Sequence, residues 1–224
     1  MTVAPDSLRD TDRTTLRRHR ERGDYDRELA YAILDEALLC HVGFSTGDSP
    51  FVTPMTYARI DDTLYLHGAA GNRMLRALVE GAPACVTVTL LDGLVLARSA
   101  FHHSMNYRSV MLFGVPERVE DPDEKRAAVT ALLEHMVPGR SGDARGPSEN
   151  ELKTTLFLRF AIDEGSAKVR TGPPIDDEED LDLGFWAGVV PFERLVLAPI
   201  PDAQLPETVG IPDYLARYRA GLGG

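Results

Sequence analysis

Between residues 38 and 118 the chain breaks into short runs rich in β-branched and aromatic residues, each closed by a turn signal. The runs read "LLCHVGFST", "PFVTPMTYARI", "TLYLHG", "ACVTVTLLDGLVLARSAF" and "YRSVMLFGVPERV". A doubly wound parallel sheet needs a helix after nearly every strand, and most of these gaps are too short for one. The spacing therefore predicts consecutive antiparallel strands closing into a small β-barrel, mainly β in class, with helices packed outside. The fourth run is long enough to fold back on itself as a hairpin turning at Asp92 and Gly93. A later run, "LFLRFAIDEGSAKVR", reads as one further strand.

Helices are legible from their caps and apolar spacing. Asp26 is placed to cap a first helix whose buried stripe is Leu29, Ile33 and Leu34. A short helix runs from about Asn72 to Glu80 and stops at Gly81. Asp121 opens a longer one with apolar residues at Val129, Leu132, Leu133 and Met136, and Ser148 opens another.

The 224 residues suit a single domain. We expect a charged N-terminal extension over about 1–25 and a C-terminal tail over about 192–224. The formal net charge of −11 makes nucleic acid and anionic membranes poor partners for the molecule as a whole. Any anionic ligand then needs a local basic pocket. Cys40 and Cys85 both sit in apolar strand-like runs, where thiols serve as small hydrophobes. No apolar leader and no run of about 18 apolar residues is present, so a cytoplasmic location is expected. The acidic block "DDEEDLD", residues 176–182, reads as a solvated loop, and no metal site is expected.

Three segments carry possible chemistry. The turn "HGAAGNRML" combines Gly68, Gly71, a helix N-terminus and Arg73, which are the parts of an anion site. The same residues also suit an ordinary turn, since neither G-x-x-x-x-G-K-[ST] nor G-x-G-x-x-G is present. In "FVTPMTYARI", Pro54 cannot donate to a ladder and suggests a sheet edge, which would leave polar groups free for a planar ligand. "FHHSMNYRSVMLFG" gathers His102, His103, Tyr107, Arg108 and Ser109. Adjacent strand residues point to opposite faces, so the two histidines are poor joint metal ligands. No G-x-S-x-G elbow supports a nucleophilic serine.

In their order, "FVTPMTYARIDDTLYLHGAAGNRMLRAL", "ACVTVTLLDG", "YRSVMLFGVPERV" and "WAGVVP" resemble the pyridoxamine phosphate oxidase-like family of FMN-binding split barrels. The nearest branch is the nitroimidazole-resistance and flavin-nucleotide-binding group. The resemblance implies a six-stranded antiparallel split barrel that forms a homodimer, with two flavin sites at the interface. It implies ring contacts from Pro54, Met55, Thr56 and Tyr57. Phosphate contacts fall on Asn72 and Arg73, in a turn shaped by His67, Gly68 and Gly71. Tyr107, Arg108 and Ser109 would line the same cleft, and Trp186 would close it from the partner. The chain lacks the arginine- and histidine-rich C-terminal segment of the vitamin B6 oxidases, which argues against that substrate. The expected function is an FMN-dependent oxidoreductase acting on a small molecule, with His102 or His103 as candidate proton donors. A flavin carrier without turnover, or the same barrel holding FAD, haem or deazaflavin F420, is the alternative.

Overall fold

The computed structural model describes residues 6–218. Its strands are β1 (Gly23–Asp24), β2 (Cys40–Thr46), β3 (Ser49–Met55), β4 (Ala58–Ile60), β5 (Thr63–Ala69), β6 (Ala84–Leu96), β7 (Ser104–Gly114), β8 (Glu117–Arg118), β9 (Thr155–Ala161), β10 (Glu164–Arg170) and β11 (Gly188–Pro191). The α-helices are α1 (Arg27–Glu36), α2 (Arg73–Val79), α3 (Pro122–Met136), α4 (Glu149–Thr154) and α5 (Asp213–Ala216). Every strand pair is antiparallel. One sheet runs β1-β10-β7-β6-β2-β3, with β11 added on β6, and the other runs β4-β5-β9-β8. The mainly β barrel expected from the strand spacing is therefore the observed class.

The caps behave as their chemistry requires. Asp26 accepts from the Leu29 amide at 2.7 Å, Asp121 from Asp123 at 3.0 Å, and Ser148 with Glu151 forms a capping box. Gly81 takes φ +95° and ends α2, as a glycine past a helix C-terminus does.

Three expectations are corrected. First, β6 is one long strand with no hairpin at Asp92–Gly93. The register shifts between Leu91 and Gly93, so this is a bulge. Glycine is needed there for close approach: a Cβ on Gly93 would lie 2.7 Å from the Val190 carbonyl oxygen of β11. Second, "PFVTPMTYARI" divides into β3 and β4, which belong to different sheets. The break falls at Tyr57, whose side chain is fully buried. Its hydroxyl lies 2.5 and 2.9 Å from the carbonyl oxygens of Leu34 and Ala37 at the end of α1, satisfying helix-terminal acceptors that lack partners in the helix. Third, "LFLRFAIDEGSAKVR" is β9 then β10 and "YRSVMLFGVPERV" is the end of β7 then β8, each pair again in different sheets.

The segment expected as a charged extension is docked in its described part. Leu8 is in the core, β1 pairs with β10, and buried Glu164 accepts from Arg13 Nε at 3.0 Å, Arg13 Nη2 at 2.6 Å and Thr11 Oγ1 at 2.5 Å. The charges of this stretch thus hold it to the sheet instead of solvating it.

The described residues form two cores. The larger lies inside the barrel, where α1 and α2 cover the inner face of the first sheet and Leu64, Leu66, Leu158 and Phe160 meet them from the second. The smaller lies on the other side of the second sheet, where Tyr65 and Phe157 pack beneath Ala128 of α3 and Leu152 of α4. Alternation along β5 decides which core each residue enters.

Candidate functional site

The sequence-predicted site residues do not come together in one chain. Asn72, Arg73, Gly68 and Gly71 lie at the turn between β5 and α2. Asn72 is the helix cap, with its side-chain oxygen accepting from the Leu75 amide at 3.2 Å, so that oxygen is already engaged. Gly68 permits close packing, since a Cβ there would stand 2.9 Å from a Leu75 methyl; a Cβ on Gly71 would meet nothing within 4 Å. The Arg73 guanidinium lies 4.8 Å from the centre of the Phe51 ring on β3, is exposed, and makes no ion pair among the described residues. Its donors are available to an anion, and stacking on Phe51 holds the fork in place.

Pro54 lies on β3, the edge of the first sheet, as its missing N–H suggested. It pairs with His41, which pairs with Thr87 near the start of β6. Met55 and Thr56 follow at the end of β3, half-buried. Tyr57 does not share their setting, because its side chain points into the barrel core.

Tyr107 and Ser109 lie on the outer face of β7, opposite Leu91 and Thr89. Arg108 between them points to the inner face. It is gripped by Glu36 and by Asp92, with Nη2 at 2.8 Å from an oxygen of each, and the two carboxylates raise its pKa. This arginine is neutralised by its own chain and is not a free phosphate ligand. Trp186 is exposed and lies over Gly188 of β11, near the bulge. Phe51 is level with Ala84 through Phe44, whereas Tyr107 is level with Leu91. Seven residues of strand separate these levels, about 23 Å at roughly 3.3 Å per residue. One chain does not bring Arg73 together with Tyr107 and Trp186.

His102 ends a single 3₁₀ turn, Ala100–His102, and His103 caps it; both rings are bound to backbone. His102 Nδ1 contacts the Ile175 carbonyl, and its pKa is raised by that bond and by Asp177, 3.5 Å away. His103 Nδ1 contacts the Ser99 carbonyl at 3.0 Å. The acidic block beside them is partly structural: Asp176 accepts from Arg98 Nη1 at 2.9 Å. No cluster of three metal-ligating side chains exists among the described residues.

His67 departs most from its expected role. Alternation on β5 turns it away from the barrel, into the smaller core, where it stacks on Phe157 at 5.8 Å between ring centres. Its Nδ1 is buried without a hydrogen-bond partner, and burial lowers its pKa, which keeps the imidazole neutral near pH 7. Beside it is a cavity of about 280 Å³ lined by Phe157, Val129, Leu133 and Leu152, with Arg145 and Glu151 among its polar residues. Sequence reasoning gave His67 only a turn-shaping part. The available signal was alternation in "TLYLHG", which puts His67 on the same face as Tyr65 and opposite Leu64 and Leu66.

The sequence profile described as pyridoxamine 5'-phosphate oxidase matches residues 26–169. The chain belongs to that family. Among solved structures it is similar to the flavocytochrome Anf3 from Azotobacter vinelandii, at 40% identity over 93% of this chain and 97% of that one, with TM-score 0.88. It is also similar to the FAD and heme binding protein from Mycobacterium smegmatis, at 39% identity over 88% and 96% of the two chains and TM-score 0.84. A candidate 5-nitroimidazole antibiotic resistance protein from Bacteroides thetaiotaomicron follows at 27% identity, over 66% of this chain and 86% of that one, with TM-score 0.56. No curated protein sequence matches. The nitroimidazole-resistance likeness expected from the motifs is thus present. The more extensive similarity in this family is to proteins described as holding a flavin together with a haem.

Proposed function

We propose that this protein is a homodimeric redox protein that binds a flavin, as FAD, and a haem, and that transfers electrons between a small-molecule substrate and these groups. The observation that carries the reading is His67: a half-buried, neutral imidazole whose buried Nδ1 has no partner, facing a mainly apolar cavity. Buried polar atoms are ordinarily satisfied, so an orphaned ring nitrogen of this kind suits an absent ligand. A neutral imidazole in an apolar setting is a donor that haem iron accepts. At about 280 Å³ the cavity lies just below the roughly 300 Å³ at which ligand pockets begin. Ala144, Arg145, Gly146 and Pro147 also line that cavity, and the residues that would hold a haem there are His67 with Val129, Leu133 and Leu152.

The flavin reading rests on Arg73. Its fork is held by Phe51 beside the sheet edge at Pro54, where it would bind a phosphate bidentately while the edge strand receives the planar ring. FAD is preferred to FMN because two relatives of about 40% identity, similar over nearly the whole chain, include one named as an FAD and heme binding protein. Such a pair of groups supplies hydride and one-electron chemistry when bound. This chain's residues would place and desolvate them, with Arg73 fixing the phosphate and the apolar wall around His67 excluding water.

Separation of Arg73 from Tyr107 and Trp186 within one chain supports a homodimer, in which a second copy brings the missing half of the cleft. The test is reconstitution. The purified protein, titrated with FAD, FMN and haemin, should take up FAD more tightly than FMN and develop a sharp Soret band with haemin. His67→Ala should lose that band. Absence of any flavin uptake would end the flavin reading, and an unaltered Soret band in His67→Ala would remove His67 as the iron ligand.

A further inference from the structure

The C-terminal arm, residues 192–212, is composed and placed unlike a linker. Eight of its 21 residues are large and apolar: Phe192, Leu195, Val196, Leu197, Ile200, Leu205, Val209 and Ile211. A solvated linker is instead rich in glycine, serine and charge. Both ends of the arm are fixed. Before it, β11 pairs with β6, and Phe192 N donates to Asp92 O at 2.9 Å. After it, the Tyr214 hydroxyl on α5 donates to Asp143 Oδ2 at 2.8 Å and accepts from Arg140 Nη1 at 2.9 Å. Tyr218 donates to the Met136 carbonyl at 2.5 Å.

Between these anchors the arm turns its apolar side chains to solvent. Leu195 is 79% exposed, Leu197 75% and Ile200 93%, and Trp186 just before β11 is 66% exposed. With Phe185 and Phe192 these six side chains present roughly 700 Å² of apolar surface, taking about 200 Å² for a whole aromatic side chain and slightly less for an aliphatic one. A standard interface takes about 800 Å² from each partner.

A matching surface exists on the same molecule but is not covered by the arm. Outward positions along β2, β3, β6 and β7 hold no Asp, Glu, Lys or Arg, in a chain of net charge −11. Val52, Leu91, Met105 and Met111 stand exposed there. Arm and face are thus each unsatisfied in one chain and present once per chain. A two-fold pair of chains satisfies both at once, each arm lying on the other chain's face. The arm is also not peculiar to this chain. The superposition on the Azotobacter flavocytochrome leaves out only about 16 of the 224 residues, so much of the C-terminal region has a counterpart there, although the family profile ends at residue 169.

We propose that residues 192–212 form an exchanged arm that docks on the uncharged outer sheet face of a second copy of this chain. The inference rests on the homodimer proposed above and specifies which segment makes it. It is tested on the full-length protein by sedimentation velocity across a dilution series. The variants are Leu195→Asp/Leu197→Asp/Ile200→Asp on the arm and Val52→Asp on the face; all four positions are exposed, so each variant should fold, as checked by circular dichroism.

Expected are a dimeric wild type and at least a tenfold weaker dimer in either variant. Trp186 is the sole tryptophan, and its emission should shift to the red on dilution as the pair separates. Amides of 192–212 should exchange hydrogen more slowly in the dimer than in diluted protein. If the arm variant dimerises as tightly as wild type while the 192–212 amides exchange freely, the arm proposal is overturned and the homodimer reading stands. A wild type that is monomeric at every concentration overturns both.

Discussion

Arg73 and Tyr57 occupy sequence positions that the same resemblance assigns to one cofactor, yet their surroundings separate them. Arg73 is an exposed cation steadied by Phe51 and without an ion pair among the described residues. Arg73→Ala should weaken flavin binding by about 1 to 3 kcal/mol, the range for hydrogen bonds to a charged group, read as the dissociation constant from quenching of flavin fluorescence. Tyr57→Phe should leave that constant unchanged and lower stability by about 1 to 2 kcal/mol, because the two helix-terminal carbonyls that share its single hydroxyl hydrogen lose it. Urea unfolding reads the second effect. The three helix caps at Asp26, Asp121 and Ser148 were legible in the sequence because capping is local chemistry. The fates of Tyr57, His67 and Arg108 were not. Each depends on which layer covers the face its strand presents, and a carboxylate pair such as Glu36 and Asp92 comes from elements distant in sequence.

Strands were found by composition, but their ends and partners were set by contacts that composition does not record. "PFVTPMTYARI" and "LFLRFAIDEGSAKVR" each read as one strand because nothing local marks the point at which the chain passes from one sheet to the other. Asp92–Gly93 read as a turn because such a pair favours turns, whereas here the glycine makes room for β11. Gly93→Ala should therefore push β11 from β6 and cost about 1 to 3 kcal/mol, the usual penalty for overpacking, measurable as a lower melting temperature. The N-terminal segment gives a pH test. Hydrogen bonds from Arg13 pull the Glu164 carboxyl below its ordinary value against the opposing effect of burial. Its folded pKa is lower than its unfolded one, so its contribution is present above about pH 4.3 and is lost as pH falls through the folded value. Glu164→Gln should lower the urea midpoint at neutral pH and show a shallower further loss in acid than wild type. Equal acid slopes for the two proteins would mean that Glu164 does not hold the segment.

Across the molecule, β5 stands between the two proposed sites. Gly68 and the Arg73 turn belong to its end near the barrel, and His67 faces the separate core beneath α3 and α4. Sites with no shared partners ordinarily respond to mutation independently. His67→Ala should abolish the haemin Soret band and leave the flavin dissociation constant within about twofold of wild type. Arg73→Ala should weaken flavin uptake and leave the Soret band intact. Cavity chemistry supplies a control: His67→Phe fills the site with an apolar ring and should equal or exceed wild type in stability, because the orphaned nitrogen is removed from a buried position. Joint loss of flavin and haem in either single variant, with the fold intact by circular dichroism, would show that the two sites are coupled through β5. The molecule would then work as one site with two cofactors instead of two sites on one strand.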